Sequence, residues 1–540
     1  MKKIDFNRNW TCRCLTRDEE PYSVTLPHDA MRSEPRTGES VSEGNSGWYL
    51  GGDYEYTKHV FVPSEYSGKK VLIEFESVYH NAEVYINGKK AAYRPYGYTN
   101  FYVDTEGFLK YEAQNEIRVI ARNSDQPNSR WYSGTGIYRP VYLWTGDQKY
   151  IPVNGIKIHT VSYAPAVIEV EIKTSCLGRV KAEVLDKENC ILTQEVENTG
   201  HPSVFRMEIP NAKLWDCDHP NLYTLRATFG EDVVEETFGI RLLEWNPEKG
   251  LTINGKREIL RGACVHHDNG VLGACTYPEA EERRVRILKE NGYNAIRSSH
   301  YPCSKDMLDA CDRQGMLMMD EYVDVWYIHK TKYDYAGYLN EWWQQDIKDM
   351  VEKDYNHPCV IMYSTGNEIP ERDGRSGGYQ LSREITDCFK RNDPTRPVTN
   401  ALCNASPDAD VEGMDANLLK NADQIYFARV TEAFAAPLDV TGYNYMPERF
   451  EMDHAYFPNK VFCATETAPA DSCHGWSLVE RFPFLIGDFV WTAMDYIGEA
   501  GIGRTLVDEP LEGLAEYPYR LAGTGDLDLC GRKRPRSSSP

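Results

Sequence analysis

NAIRSSHYPCSKDMLDACDRQGMLMMDE, residues Asn294 to Glu321, contains a strand, a helix and a second strand in succession. The apolar run NAIRSS (294–299) is followed by a helix predicted from Ser304 to Gly315 and then by the run MLMMDE (316–321). Strands that alternate with helices in this way pair in parallel, because a crossover helix returns the chain to the same edge. The pattern continues on both sides. Upstream, Thr276 stands three residues before Glu279 in a capping-box arrangement. Pro278 sits in the first turn, Val285 and Leu288 share a face, and Gly292 closes the helix. Downstream, Trp343, Ile347, Met350 and Val351 fall on one helical face, and Asn356-His357-Pro358 ends that helix. The remaining strand candidates are EILRGA (258–263), CVIMYS (359–364), PVTNAL (397–402), LDVTGY (438–443), VFCATE (461–466) and DFVWTA (488–493). Eight such strands predict a (β/α)8 TIM barrel. No G-x-G-x-x-G follows any of them to favour an open, dinucleotide-binding sheet.

Before this α/β region the texture is that of strands. VLIEFESV (71–78), AEVYING (82–88) and NEIRVIAR (115–122) are short and rich in β-branched or aromatic residues, and Asn87-Gly88 is a tight hairpin turn. A change of texture near Ile151-Pro152 divides the region. The expected organisation is a jelly-roll β-sandwich over 1–148, an immunoglobulin-like β-sandwich over 149–243 and the barrel over 244–540.

Composition excludes several classes of function. The 540 residues carry 60 basic and 82 acidic side chains, a net charge of −22. A nucleic-acid partner is therefore not expected, since phosphate binding draws on clustered Lys and Arg. No run approaches the ~18 apolar residues of a membrane span, and the start MKKIDFNRNWTCRC lacks a secretory core, so the chain as written reads as cytoplasmic. The 15 Cys residues show no C-x-x-C pair or Cys/His spacing, and are expected as reduced core thiols rather than metal ligands.

In a closed barrel the reactive groups gather at the C-terminal strand ends. The polar residues there are His266 and His267, His300 and Tyr301, Asp320, Glu321 and Asp324, Asn367 and Glu368, Tyr443 to Tyr445, Glu466 and Trp491, in strand order with strand five contributing none. Two carboxylates facing each other across one ring, with aromatics and His between them, suit hydrolysis of a glycosidic bond. One protonates the leaving oxygen and the other, ionised, meets the anomeric carbon.

Asn294 to Met319 resembles throughout one signature of glycoside hydrolase family 2, the family of β-galactosidases, β-glucuronidases and β-mannosidases. NHPCVIMYSTGNE (356–368) resembles a second, although Tyr363 stands where Trp is usual and Tyr355 where a basic residue is usual. NSRWYSGTGIYRPV (128–141) is similar to the family's sugar-binding jelly roll. The resemblance implies a retaining exo-β-glycosidase, with Glu368 as acid/base, Glu466 as nucleophile and Asn367 on the sugar's 2-hydroxyl. It implies Tyr445 as hydrogen-bond partner of Glu466, His300 and His266 on sugar hydroxyls, Trp491 as apolar floor, and Asp324 and Trp326 as further subsite residues. Retention calls for carboxyl groups roughly 5 to 5.5 Å apart. Some family members bind magnesium near the acid/base, but no matching ligands occur here, so no metal or other cofactor is expected.

Among sugars, β-galactoside leads. β-Glucuronidases carry an Asn-x-Lys element near strand eight, and no Asn follows Glu466. Asn87 and Asn254 do begin N-x-K, but as Asn-Gly turns. β-Mannosidase stays open, because epimers differ by one hydroxyl. A rival from another class is a carbohydrate-binding protein without catalysis. After strand eight the sequence runs out in an Arg, Ser and Pro tail with no residues for an eighth helix. A C-terminally truncated barrel is therefore expected, with an apolar stripe left to solvent or covered in a homo-oligomer.

Overall fold

The structure is a computed structural model that describes residues 1–404, 427–504 and 513–534. Its centre is a closed ring of eight parallel strands in chain order. We number them β1 (Leu260–Val265), β2 (Ala295–Ser298), β3 (Leu317–Glu321), β4 (Val360–Asn367), β5 (Val398–Leu402), β6 (Val440–Asn444), β7 (Val461–Thr467) and β8 (Leu485–Val490). Closure is made by β1 against β8, with Leu260 opposite Gly487 and Ala263 opposite Val490. A Cβ on Gly487 would lie 2.3 Å from that of Leu260, so only glycine lets these strands meet. This is why β8 begins three residues before the expected run: Gly487, which breaks the apolar pattern in the text, is a pairing residue in the fold.

The helices around the ring follow their sequence signals, with one exception. Helix Lys305–Gln314 is capped by the Ser304 side chain, which accepts from the Met307 amide, and ends at Gly315 in the left-handed region. Helix Ala336–Asp354 buries Trp343, Ile347, Met350 and Val351, as their spacing requires. Helix Pro278–Glu290 does not use the expected capping box: Tyr277 is its N-cap and offers no side-chain cap. Thr276 instead donates its backbone N–H to Tyr138 of the preceding β-rich region. A tertiary contact has taken the place of a local one.

Two pairs of sheets precede the barrel. In the first 146 residues a six-stranded and a four-stranded sheet enclose a core that includes Trp10, Tyr56, Phe75 and Val119. The Asn87-Gly88 turn, both residues at positive φ, joins strands Ala82–Ile86 and Lys89–Arg94 in one of them. From Ile156 to Phe238 a three-stranded and a four-stranded sheet enclose a separate core that includes Ile168, Val170, Leu225 and Phe229. Among the described residues no helix follows β8 and none is long and apolar enough to cross a membrane. The tail from residue 535 onward lies outside the described residues.

Candidate active site

The rim at the C-terminal ends of the strands is organised around an arginine. Arg297, on β2, is completely buried and points across the barrel. Its Nη1 donates to Glu466 Oε1 at 2.9 Å, its Nη2 to Glu321 Oε2 at 2.6 Å and to Asn367 Oδ1 at 3.0 Å. A guanidinium survives such burial only when its donors and charge are matched, and here β3, β4 and β7 each supply an acceptor. Glu321 also accepts from Ser364 Oγ at 2.7 Å and pairs with His300 Nδ1 at 2.8 Å. Burial alone would raise the Glu321 carboxyl, but Arg297 and His300 hold it below the usual range.

Glu368 follows β4 and Glu466 lies within the C-terminal end of β7. Asn444, on β6, ties the two strands together. Its Nδ2 donates to Asn367 Oδ1 at 3.0 Å and to Glu368 Oε1 at 3.3 Å, while its Oδ1 accepts from Thr465 Oγ1 at 2.7 Å. Burial pushes the Glu466 carboxyl up to about 8, against the pull of Arg297; the charge of Glu368 adds to the rise and a hydrogen bond from Tyr445 opposes it. Tyr445 is 44% exposed although its side chain hydrogen-bonds Glu466, so this residue links solvent and the buried carboxylate. Glu368 and Tyr445 have φ of 45° and 57°, and Glu499, in the loop after β8, has φ of 39°.

Aromatic rings form one wall. Trp491 lies parallel to His300, centroids 5.2 Å apart at 4°, and edge-on to His266 at 5.4 Å. His266 stacks on Tyr496 at 4.1 Å, and its Nδ1 meets the Tyr301 hydroxyl at 2.9 Å. Its Nε2 is buried and has no partner among the described residues. Burial lowers both His266 and His300, which favours the neutral rings; His300 donates from Nδ1 to Glu321, leaving its Nε2 to accept from a hydroxyl.

The aromatic wall adjoins an ionic cluster. Asp324 accepts from Asn367 Nδ2 at 3.0 Å, from Lys330 Nζ at 2.8 Å, and from Arg130 at 3.1 and 2.8 Å in a bidentate pair. Arg130 comes from the first sandwich and also donates to Glu499 at 3.2 Å, which takes a further bond from the Tyr496 hydroxyl. Burial opposes ionisation of Asp324, but Arg130 and Lys330 hold it well below the usual carboxylate range.

Eight of the nine residues singled out in the sequence thus share one rim. Trp326 does not join them. It is fully buried, donates its indole N–H to the Thr365 carbonyl at 3.2 Å and packs on Phe434, so it supports β4 from behind. The adjacent aromatics Trp131 and Tyr132 divide: Trp131 packs on His300 and His266, whereas Tyr132 donates to the buried Asp29. Arg297, Arg130, Lys330, Tyr496 and Glu499 were not singled out for the site, and Asn444 stood among the strand-end polar residues without a role. Arg297 left a trace in the text, a charge inside the otherwise apolar strand AIRS; Arg130 left none, since its partners lie 194 and 369 residues away. Among the described residues the groups spaced to share a metal ion are Asp309, Asp312 and His357, at the start of β4 and away from Glu368.

A family model described as "Glycosyl hydrolases family 2, TIM barrel domain" matches residues 247–437, and "Glycosyl hydrolases family 2" matches 155–241. The chain belongs to glycoside hydrolase family 2. One relative within curated proteins, beta-galactosidase BoGH2A of Bacteroides ovatus, is 32% identical over 92% of this chain and 68% of its own length. A putative beta-glucuronidase of Formosa agariphila is 29% identical over 98% of this chain and 54% of its own length. The crystal structure of a glycosyl hydrolase family 2 member from Bacteroides cellulosilyticus superposes with a TM-score of 0.88 at 33% identity, covering 99% of this chain and 70% of that one. This family 2 chain therefore spans between about half and 70% of the length of these three relatives.

Proposed function

We propose that this family 2 glycosidase is a retaining exo-β-glycosidase that removes terminal, non-reducing β-D-galactose. In this reading Glu466 attacks the anomeric carbon while Glu368 protonates the leaving oxygen, and Glu368 then draws a proton from the water that releases the sugar. Arg297 and Tyr445 favour the ionised form of Glu466 that attacks, opposing its burial and the neighbouring charge. Asn367, held by Arg297 and Asn444, presents its amide to the 2-hydroxyl. His266 and His300 serve other hydroxyls, and Trp491 offers an apolar face to the ring.

The observation that carries the choice of a neutral sugar is the pairing of the cations. Arg297 is engaged by Glu321 and Glu466, Arg130 by Asp324 and Glu499, and Lys330 by Asp324. A glucuronate carboxylate would have to displace one of these buried partners, whereas a neutral hydroxyl can donate to Asp324 or Glu499 and accept from the cation beside it. β-Glucuronidase is the second reading, favoured by the names of several relatives.

The test is hydrolysis of nitrophenyl β-galactoside, β-glucuronide, β-mannoside and β-glucoside by the purified chain and its Glu466→Ala variant. The β-galactoside is expected to lead, and the variant to lose about a thousandfold or more in kcat. A leading β-glucuronide would overturn the sugar. A folded variant as fast as the parent would overturn the nucleophile and favour a binding protein without catalysis.

A further inference from the structure

Two buried guanidiniums meet where the second sandwich docks on the N-terminal end of the barrel. Arg241 Nη2 and Arg396 Nε both donate to the Val360 carbonyl, each at 2.7 Å, so the two cations stand side by side. One carboxylate serves them. It is Asp393, which is held by Arg396 in an ion pair and also accepts from Thr395. Arg241 forms no ion pair among the described residues; its Nε is spent on the Pro358 carbonyl at 3.0 Å.

The other buried arginines show what is missing. Arg94, Arg284, Arg297, Arg396 and Arg449 each pair with a carboxylate. Arg139 is an exception, but there burial is outweighed by Tyr138, Cys303, Glu76 and Asp320, which hold its charged form. At Arg241 the balance runs the other way. Burial, with the charge of Arg396 adding to it, pushes this guanidinium down to about 9, and the pull of Asp393 does not make up the difference.

Both arginines line a cavity of about 430 Å³ between strand Ile156–Tyr163, the segment 238–243 and the start of β4. Arg241 Nη1 bonds to no described residue and is not enclosed by protein, so it faces this cavity. Thr160 Oγ1 already accepts the Arg241 amide at 3.1 Å, which leaves the Thr160 hydroxyl proton to donate. A further cation stands near: Lys157 Nζ lies 4.7 Å from the centroid of the Tyr355 ring and donates to the Asn392 carbonyl at 3.3 Å. The neighbouring Glu169 and Glu352 are paired elsewhere, with His159 and Lys348 at 3.9 Å each. Water could accept from Nη1 but would bring no charge. A ligand with several acceptor oxygens and a negative charge would supply both things that Arg241 lacks.

We propose that this cavity binds an oxyanion of the phosphate class, free or as the head of a small phosphomonoester, with Arg241 as its central donor. The site lies on the rim opposite Glu368 and Glu466 and does not depend on their assignment. Its test is calorimetric titration of the purified full chain, freed of phosphate and sulfate and held at constant ionic strength with sodium chloride. Inorganic phosphate and glycerol phosphate are titrated separately. One site per chain with a Kd of about 1 mM or below is expected, and tighter binding of either ligand supports the site and identifies the source. Arg241→Lys keeps the charge but loses the planar fork, and is expected to weaken binding about tenfold; Arg241→Met is expected to abolish it. Hydrogen exchange of the unaltered chain carries the test if neither variant folds. Phosphate is then expected to slow exchange in 238–243 and 355–360 and to leave the loops of the opposite rim unchanged. No saturable binding of either ligand up to about 10 mM, undiminished binding by folded Arg241→Met, or protection only outside these two segments would overturn the site.

Discussion

The two β-sandwiches dock on opposite rims of the same barrel. The first grips the catalytic rim: Arg94 pairs with Asp346 at 2.9 Å and Asp349 at 2.6 Å, Arg139 donates to the Pro302 carbonyl at 2.9 Å, and Arg130 reaches Asp324 and Glu499. The second grips the rim where the strands begin. Its Trp215 donates to the Asp312 carbonyl at 2.9 Å, and Arg241, from the segment that leads out of it, donates to the carbonyls of Pro358 and Val360 at 3.0 and 2.7 Å. The first sandwich meets buried carboxylates and a backbone carbonyl with arginines, whereas the second meets backbone carbonyls with an indole N–H and one arginine. What matters for function is which end of the strands each of them meets. In a parallel barrel that end decides whether a contact shapes chemistry or only stability.

The largest expected effect is on the catalytic rim. Arg130→Ala removes the shared partner of two buried carboxylates, and kcat/KM on the preferred nitrophenyl glycoside is expected to fall about 10²- to 10³-fold. On the opposite rim, Arg241→Ala removes two buried bonds and is expected to destabilise the fold by about 2–4 kcal/mol in urea denaturation, with kcat/KM within about twofold of the parent. If Arg241→Ala cost more activity than Arg130→Ala, the division of labour between the rims would be wrong.

A smaller effect separates the sandwich from the barrel in setting the site's electrostatics. In the proposed reaction attack requires ionised Glu466. Because burial raises this carboxyl to about 8, kcat/KM of the free enzyme is expected to fall on the acid side as pH drops through that value. The named groups that act on it, Arg297, Glu321, Glu368 and Tyr445, all belong to the barrel. Tyr445→Phe, which removes a bond to the charged form, is expected to move this limb up by about one pH unit. Arg130→Ala is expected to lower the rate without moving the limb.

Much of this arrangement was legible in the text. All eight strands fall within three residues of their apolar runs, because buried parallel strands read as continuous hydrophobic stretches. The eighth alone is offset by three residues at both ends, and it includes Gly487, whose role is a close approach that a pattern of hydrophobicity cannot express. Glu368, Glu466, Asn367 and the two histidines could be expected on one rim because a parallel barrel gathers its strand ends there. Trp326 was misplaced on the same argument: it lies two residues beyond Asp324, and the loop turns it back behind β4. Arg130 and Glu499 escaped because they are joined by tertiary packing alone. Residues on separate domains share no sequence spacing, so their meeting is a property of the docked rim and not of either segment.

Three side chains of the catalytic rim, Glu368, Tyr445 and Glu499, sit on backbone that L-residues rarely adopt, with φ between 39° and 57°. Glycine would take each position without the penalty of roughly 1–2 kcal/mol that a Cβ incurs there. The chain thus holds three residues of the proposed site in local conformations that oppose folding, and relies on the barrel's core to keep them so. Variants chosen for heat resistance alone would drift toward glycine at these three positions, and would lose the catalyst while improving the scaffold.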